Sequence, residues 1–331
     1  MQFLMVFSLA VLSAAAPESI VLIEAESFDV QDGYTGWVVD QQFMDQMGSP
    51  YLLAHGLGIP VEDVSKTVTI PKTGPWRVWV RTRDWVAPWK APEPPGRFQL
   101  LLDDDPLETV FGTEGEDWHW QDGGQVSLNA GELKLTLRDL TGFNGRCDAI
   151  LLSSDMNFVP PDGGEALAAF RREALGLPDV PPDAGHFDFV VVGGGMAGTC
   201  AAISAARMGL QTALIQDRPV LGGNNSSEVR VHLNGKINLP PYPALGNLVN
   251  ELDPGKQGNA KPPENYDDPK KLSLAESQPN LTLFTNMRAF AVEMDGERIA
   301  AVIARNIRNS EELRFTAPLF ADCTGDGTVG F

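Results

Sequence analysis

Cysteine is nearly missing from this sequence: 331 residues carry only Cys147, Cys200 and Cys323. They stand far apart with no Cys-x-x-Cys pair, which excludes a thiolate zinc site or an iron–sulfur cluster built from this stretch. A count so odd and low also means that folding does not rest on a disulfide framework. Basic residues are in short supply too, since 25 Lys and Arg face 44 Asp and Glu for a formal charge of -19. Such an acidic chain repels phosphate backbones, so nucleic acid is excluded as a partner, and solubility is the plain reading of the charge. Long apolar runs are absent after residue 16, and no later segment reaches the length a membrane-spanning helix needs.

The early run MQFLMVFSLAVLSAAA, Met1 to Ala16, is itself too short to span a bilayer comfortably and ends in small residues. It reads as a signal peptide over 1–16, cleaved near Ser13 to Ala16, which makes the protein secreted or periplasmic. A buried first strand or helix is the competing reading. Hydrophobic content of 43% and charged content of 21% belong to a folded globular chain, long enough for two domains.

From Ser19 to Asp155 the pattern is short alternating runs between turn residues, among them Ile20 to Phe28, Lys66 to Pro71, Arg77 to Arg83, Phe98 to Asp103, Leu133 to Asp139 and Asp148 to Ser154. Period-two alternation with this punctuation predicts an all-β sandwich over 19–155. Residues 156–186 hold Pro160, Pro161, Pro178, Pro181 and Pro182 around one short helical pattern, and read as an interdomain linker. At Phe187 the rules change. The apolar strand FDFVVV, an Ala-rich helix (Thr199 to Met208) and a second strand (Thr212 to Ile215) make a parallel βαβ unit. A Pro/Gly/Asn-rich excursion over Asn234 to Asp268 follows, then LTLFTN, a hairpin turning at Asp295-Gly296, and LRFTAPLFADC.

Gly193, Gly195 and Gly198 form G-x-G-x-x-G directly after the strand and at the opening of the helix. The spacing serves a tight turn, a close approach of backbone to a pyrophosphate, and close packing of helix on strand. The loop Gly193, Gly194, Gly195, Met196, Ala197, Gly198 would then present amide groups and the positive end of the helix to a diphosphate. At the end of the second strand, where an acid usually holds the adenosine ribose, stand Gln216 and Asp217. Gln216 has the better register and Asp217 the better chemistry. Six residues past Gln216, Gly222 and Gly223 bring the backbone near the diphosphate again, with Asn224 and Ser226 offering small polar groups beside it.

The blocks VVVGGGMAG, ALIQDRPVLGGNNSSEVRV and FADCTGDGTVG, in that order, resemble the FAD-dependent oxidoreductases of the two-dinucleotide-binding-domain flavoprotein type. The likeness runs from Phe187 to Phe331. It implies an α/β Rossmann-like FAD-binding segment over 187–331, with Thr324, Gly325 and Asp326 ending a strand close to the cofactor and Met287 meeting the adenine. A plain NAD dehydrogenase would explain the first block but neither of the others. His232 and Arg230 are the local candidates for proton transfer. No catalytic residue is assigned, and an ordinary strand residue is the stronger reading of His232.

In the first half, IEAESF, KTVTIPKTGPWRVWVR and RCDAILL resemble carbohydrate-binding modules of the galactose-binding-like sandwich. Glu24 and Glu26 alternate onto one face of the first strand, and Asp148 joins them if the last strand lies beside the first. Three converging carboxylates repel unless a cation sits between them, and calcium takes such oxygens. The resembling modules hold a structural calcium there, so Glu24, Glu26 and Asp148 are the candidate metal ligands, against a solvated charged edge. Trp85, Trp89, Trp118 and Trp120 lie in turn-rich segments, where they stack on sugar faces or pack under long loops.

The expectation is a secreted oxidoreductase that moves hydride through FAD to or from a small, carbohydrate-related substrate, with a polysaccharide ligand on the sandwich. The alternative is a glycan-binding protein with an incomplete, inactive flavin segment. Because the resemblance runs on to the last residue, the chain is expected to be the front of a longer protein.

Overall fold

The computed structural model describes residues 19–30, 35–91, 93–255 and 258–330, so the leader read over residues 1–16 lies outside the described residues. The chain divides into two units, Met1–Val180 and Pro181–Phe331.

In the first unit the alternating runs pair into two antiparallel sheets. One has the order Gly36–Asp40, Tyr51–His55, Phe143–Ser153, Gly74–Thr82, His119–Leu128, with Ile20–Glu24 also paired to Phe143–Ser153. The other runs Val64–Ile70, Gly131–Asp139, Phe98–Leu102, Asp105–Pro106. Side chains of alternate residues meet between the sheets: Trp37, Trp76, Val78, Phe98, Leu135, Ile150 and Leu152 form the sandwich core. Trp37 meets Phe98 edge-on at 5.8 Å.

The run Ala149–Ser153 is apolar at nearly every position because the larger sheet is covered on both faces. Ile150 and Leu152 point into the sandwich, whereas Ala149 and Leu151 pack with Leu22, Trp79, Trp120, Leu167 and Ala174 on the outside. Leu167 and Ala174 come from the helix Gly164–Ala174. The stretch read as a linker therefore contributes a helix to the outer layer of the first unit. Its last part, Asp183–His186, is a strand of the second unit, parallel to Glu312–Thr316.

The second unit holds a four-stranded parallel sheet in the order Leu281–Phe284, Thr212–Ile215, Phe189–Val192, Leu319–Asp322. Val191 and Leu214 face a helical layer with Ala202, Ile203, Leu248, Leu252 and Ala275. Val190, Val192, Ala213 and Ile215 face Met287, Val302, Ala304 and Phe315 of a second four-stranded sheet. Burial on both faces again explains an unbroken apolar strand. The second sheet contains the hairpin of Met287–Asp295 and Arg298–Asn306, which turns through Gly296-Glu297, one residue beyond the Asp295-Gly296 expected from sequence. LRFTAPLFADC divides at Ala317-Pro318: Glu312–Thr316 joins the hairpin and Leu319–Asp322 enters the parallel sheet beside Phe189–Val192. This crossing brings the three glycine-containing blocks to one end of the parallel strands.

Candidate functional site

The strand Phe189–Val192 ends in Gly193, whose φ of 98° lies in the region open to glycine. Helix Met196–Arg207 opens at Gly195, which caps it with no side-chain hydrogen bond, so its first-turn amides are left to whatever lies in front. The glycines of the motif have different neighbours. A Cβ on Gly198 would lie 1.8 Å from the Gly193 oxygen, and one on Gly193 would lie 2.5 Å from the Cys323 oxygen. A Cβ on Gly195 would meet nothing within 4 Å. Chain packing thus demands glycine at 193 and 198, while at 195 the space left open is that of the cleft.

The second glycine pair lies directly against the first. The Gly222 amide donates to the Gly194 oxygen at 2.8 Å, Gly195 and Gly222 form an isolated parallel bridge, and a Cβ on Gly223 would stand 3.1 Å from the Gly195 Cα. The third block closes the other side. Asp322 Oδ1 accepts from the Thr324 amide (3.1 Å) and hydroxyl (2.7 Å), and Oδ2 accepts from the amides of Val329 (2.8 Å) and Gly330 (3.1 Å). Partial burial opposes the Asp322 charge, but these donors prevail and hold its carboxyl below the usual range. Asp322 thereby shapes the Thr324–Gly327 turn, a role the reading by motif missed because the residue falls just before the glycines.

Between these blocks is a cleft of about 240 Å³. Of the residues expected at a cofactor, Gly193, Gly195, Gln216, Asp217, Gly223, Asn224, Met287, Thr324 and Asp326 line it. Gly194, Met196, Ala197, Gly198, Gly222 and Gly325 belong to the turns and helix behind that lining, and Ser226 is buried at 1% exposure with its hydroxyl unbonded. The lining also includes Arg218, Val229, Arg288, Cys323 and Thr328, which sequence reasoning did not single out. The Met287 amide donates to the Gln216 oxygen at 2.8 Å. Arg230 and His232 are not among the lining residues, and His232 Nδ1 lies 2.6 Å from Asn259 Oδ1.

A cleft at the carboxyl ends of parallel strands, with an uncapped helix end and glycines facing it, suits a dinucleotide diphosphate. The residues present fit FAD: backbone amides for the diphosphate, and Gln216 and Asp217 at the ribose position.

In the first unit, Glu24, Glu26 and Asp148 do converge, but the expected calcium site is corrected. The strand stops at Glu24, and a single 3-10 turn, Ala25–Ser27, carries Glu26 inward. Asp148 Oδ2 accepts from Arg81 at 2.9 Å and from Arg171 at 2.7 Å, Oδ1 accepts from Ser49 at 3.1 Å, and Arg171 stands 3.3 Å from Glu24. Two guanidiniums already supply the compensating cations, and they would repel a further one. Burial, then the neighbouring Glu24 and Asp148, push the Glu26 carboxyl well above its ordinary range. Among the described residues no group of acids, histidines or cysteines is placed to hold a metal.

The four tryptophans divide. Trp120 lies under the outer helix with Nε1 donating to Pro161 at 3.0 Å, and Trp118 packs on Tyr51 at 4.9 Å. Trp89 is 71% exposed and meets Trp85 edge-on at 6.2 Å. Trp85 in turn stacks with the exposed Phe143 at 5.8 Å.

Among solved structures, the chain is similar to a family 35 carbohydrate binding module from Clostridium thermocellum, at 15% identity, covering 40% of this chain and 97% of that one (TM-score 0.32). It is similar to the GH26-CBM35 beta-(1,4)-mannanase of Podospora anserina, at 16% identity over 62% of this chain and 52% of that one (TM-score 0.32). It is also similar to the 3-ketosteroid-delta4-(5alpha)-dehydrogenase of Rhodococcus jostii RHA1, at 15% identity over 41% of this chain and 46% of that one (TM-score 0.30). Residues 188–331, nearly the whole of the second unit, match the family described as FAD dependent oxidoreductase.

Proposed function

We propose that the second unit holds FAD in the cleft and serves a flavin-dependent oxidoreduction of a small, carbohydrate-related substrate, while the sandwich binds a polysaccharide outside the cell or in the periplasm. The observation that carries the flavin part is at Gly195. Among the described residues no atom lies within 4 Å of a Cβ built there, yet the position opens the helix at the cleft, lined also by Gly223 and Thr324. When bound, FAD supplies the hydride-transfer chemistry. The chain's own part is to hold and orient. The first amides of helix Met196–Arg207 would hold the diphosphate, and the turns at Gly223 and Thr324 would keep side chains out of its way.

For the sandwich, the supporting feature is the pair of exposed rings Trp89 and Phe143, joined through the half-buried Trp85, which suit the apolar face of a sugar. A glycan-binding protein with an inactive flavin segment is the second reading, favoured by the absence of histidine from the cleft lining.

The test is to incubate the purified full chain with FAD, remove unbound flavin by gel filtration and record the visible spectrum. About one flavin per chain, bleached by a reducing sugar-type substrate, supports the first reading. Bound flavin that no substrate reduces, with retention on polysaccharide, supports the second. A colourless protein refutes the FAD assignment.

A further inference from the structure

Every polar group of Gln216 is engaged within the chain. Its amide donates to the Phe284 oxygen at 2.8 Å, and its own carbonyl accepts from the Met287 amide at 2.8 Å. The side chain is 4% exposed, with Oε1 accepting from the Gly194 amide at 2.7 Å and Nε2 donating to the Val220 oxygen at 3.0 Å. The Gly194 oxygen accepts in turn from the Gly222 amide at 2.8 Å and the Thr199 hydroxyl at 3.0 Å. One side chain thus joins the first glycine turn to the segment leading into the second.

That junction needs one donor and one acceptor on the same short group. An amide offers both, whereas an ionised carboxylate offers only acceptors and would turn one of them on the Val220 oxygen. Room to rearrange is small, because a Cβ on Gly194 would stand 2.9 Å from the Gln216 Cβ. The neighbouring Asp217 is half-buried, borders the cleft and carries the acceptors that ribose hydroxyls require.

We infer that Gln216 is a positioning residue that buckles the two glycine turns together, and that Asp217 is the residue that takes the adenosine ribose. The inference rests on the FAD reading. It runs against the register of the motif, in which the strand-end position itself holds the ribose, and it makes a counterintuitive forecast. Gln216→Glu, which installs the acid usual for such strand ends, damages the site.

The experiment compares Gln216→Glu, Gln216→Met and Asp217→Asn with the unchanged full chain. FAD and ADP affinities are measured by flavin fluorescence quenching and calorimetry, and melting is measured without cofactor between pH 5 and 8. Asp217→Asn should lower both affinities about tenfold, the loss of one hydrogen bond to a charged group, and leave apo melting unchanged. Gln216→Met should lower apo melting at every pH, since a buried amide and carbonyl lose their partner. Gln216→Glu should lower apo melting at pH 8 and recover toward pH 5, where a protonated carboxyl regains the donor. That pH dependence is a readout that a purely space-filling role would not produce.

Tighter FAD binding by Gln216→Glu, with no effect of Asp217→Asn, would overturn the assignment and make Gln216 the ribose ligand. Should the unchanged chain take neither FAD nor ADP, the underlying reading and the Asp217 role fall. The apo melting of Gln216→Glu still decides the buckle, which parallel pH curves for the variant and the unchanged chain would refute.

Discussion

Glycines three residues apart in one motif have opposite reasons to be glycine. Gly195 has extended backbone (φ -62°, ψ 178°) and no described atom within 4 Å of its missing Cβ, so the first carbon of a side chain there meets no steric objection. Gly198 lies so close to the Gly193 oxygen that any side chain must move the helix or the strand. Gly195→Val is therefore expected to keep the apo melting point within a degree or two and to lose FAD. Gly198→Val should lose several degrees before cofactor is added. Calorimetry on the two apo variants separates them, and equal damage would show that Gly195 is a packing glycine too. Glu26 supplies a second residue-level test. Its carboxyl is raised in the folded protein, so the folded state binds the extra proton, and the stability this contributes declines as pH climbs from the ordinary carboxyl range through the raised value. Glu26→Gln cannot titrate, so the stability of the unchanged protein relative to the variant should fall as pH rises from about 4.5. Urea midpoints that stay parallel across pH 5 to 8 would refute this.

The helix Gly164–Ala174 shows what an element can hide. Its sequence is short, Ala-rich and flanked by prolines, with nothing to mark it as part of a sandwich. Leu167 and Ala174 cover the outer face of the larger sheet, and Arg171 enters the acid cluster with 4% exposure. Burial alone would weaken the Arg171 cation, but the three acids outweigh it and hold the proton more firmly than in water. Removing one partner of such a buried pair costs about 3–5 kcal/mol, because the remaining charges are left uncompensated. Arg171→Met should accordingly destabilise the first unit by roughly that amount. A fragment of residues 19–155, which lacks the helix, should melt far below one of residues 19–180. Equal melting of the two fragments would reduce the helix to a passenger.

Two units with separate cores divide the proposed work between them. The sandwich buries most of its tryptophan and leaves Trp89 exposed, with a ring face that suits the apolar face of a sugar. Trp89→Ala is expected to abolish retention on an insoluble polysaccharide, with unchanged melting and unchanged flavin stoichiometry. Affinity electrophoresis in glycan gels reads the first effect, and undiminished retardation would remove Trp89 from the binding surface.

Much of this was legible along the chain because it depends on near neighbours. Alternation marked Val64–Ile70 and Gly131–Asp139 as strands, and apolar strand, glycines and Ala-rich helix marked the turn at Gly193–Gly198, since backbone conformation and one-sided burial are written at spacings of two to five residues. Tertiary structure decided the matters that depend on distant partners. Glu24, Glu26 and Asp148 meet in the fold, but the sequence alone could not say which cation they meet. Arg81 and Arg171 reach them from another strand and from the supposed linker. Likewise, Gln216 and Asp217 stand side by side on the strand end, and only the fold aims one amide at Gly194 and Val220 while the other side chain borders the cleft. Charge compensation and hydrogen-bond pairing are set by three-dimensional proximity, which local sequence pattern does not encode.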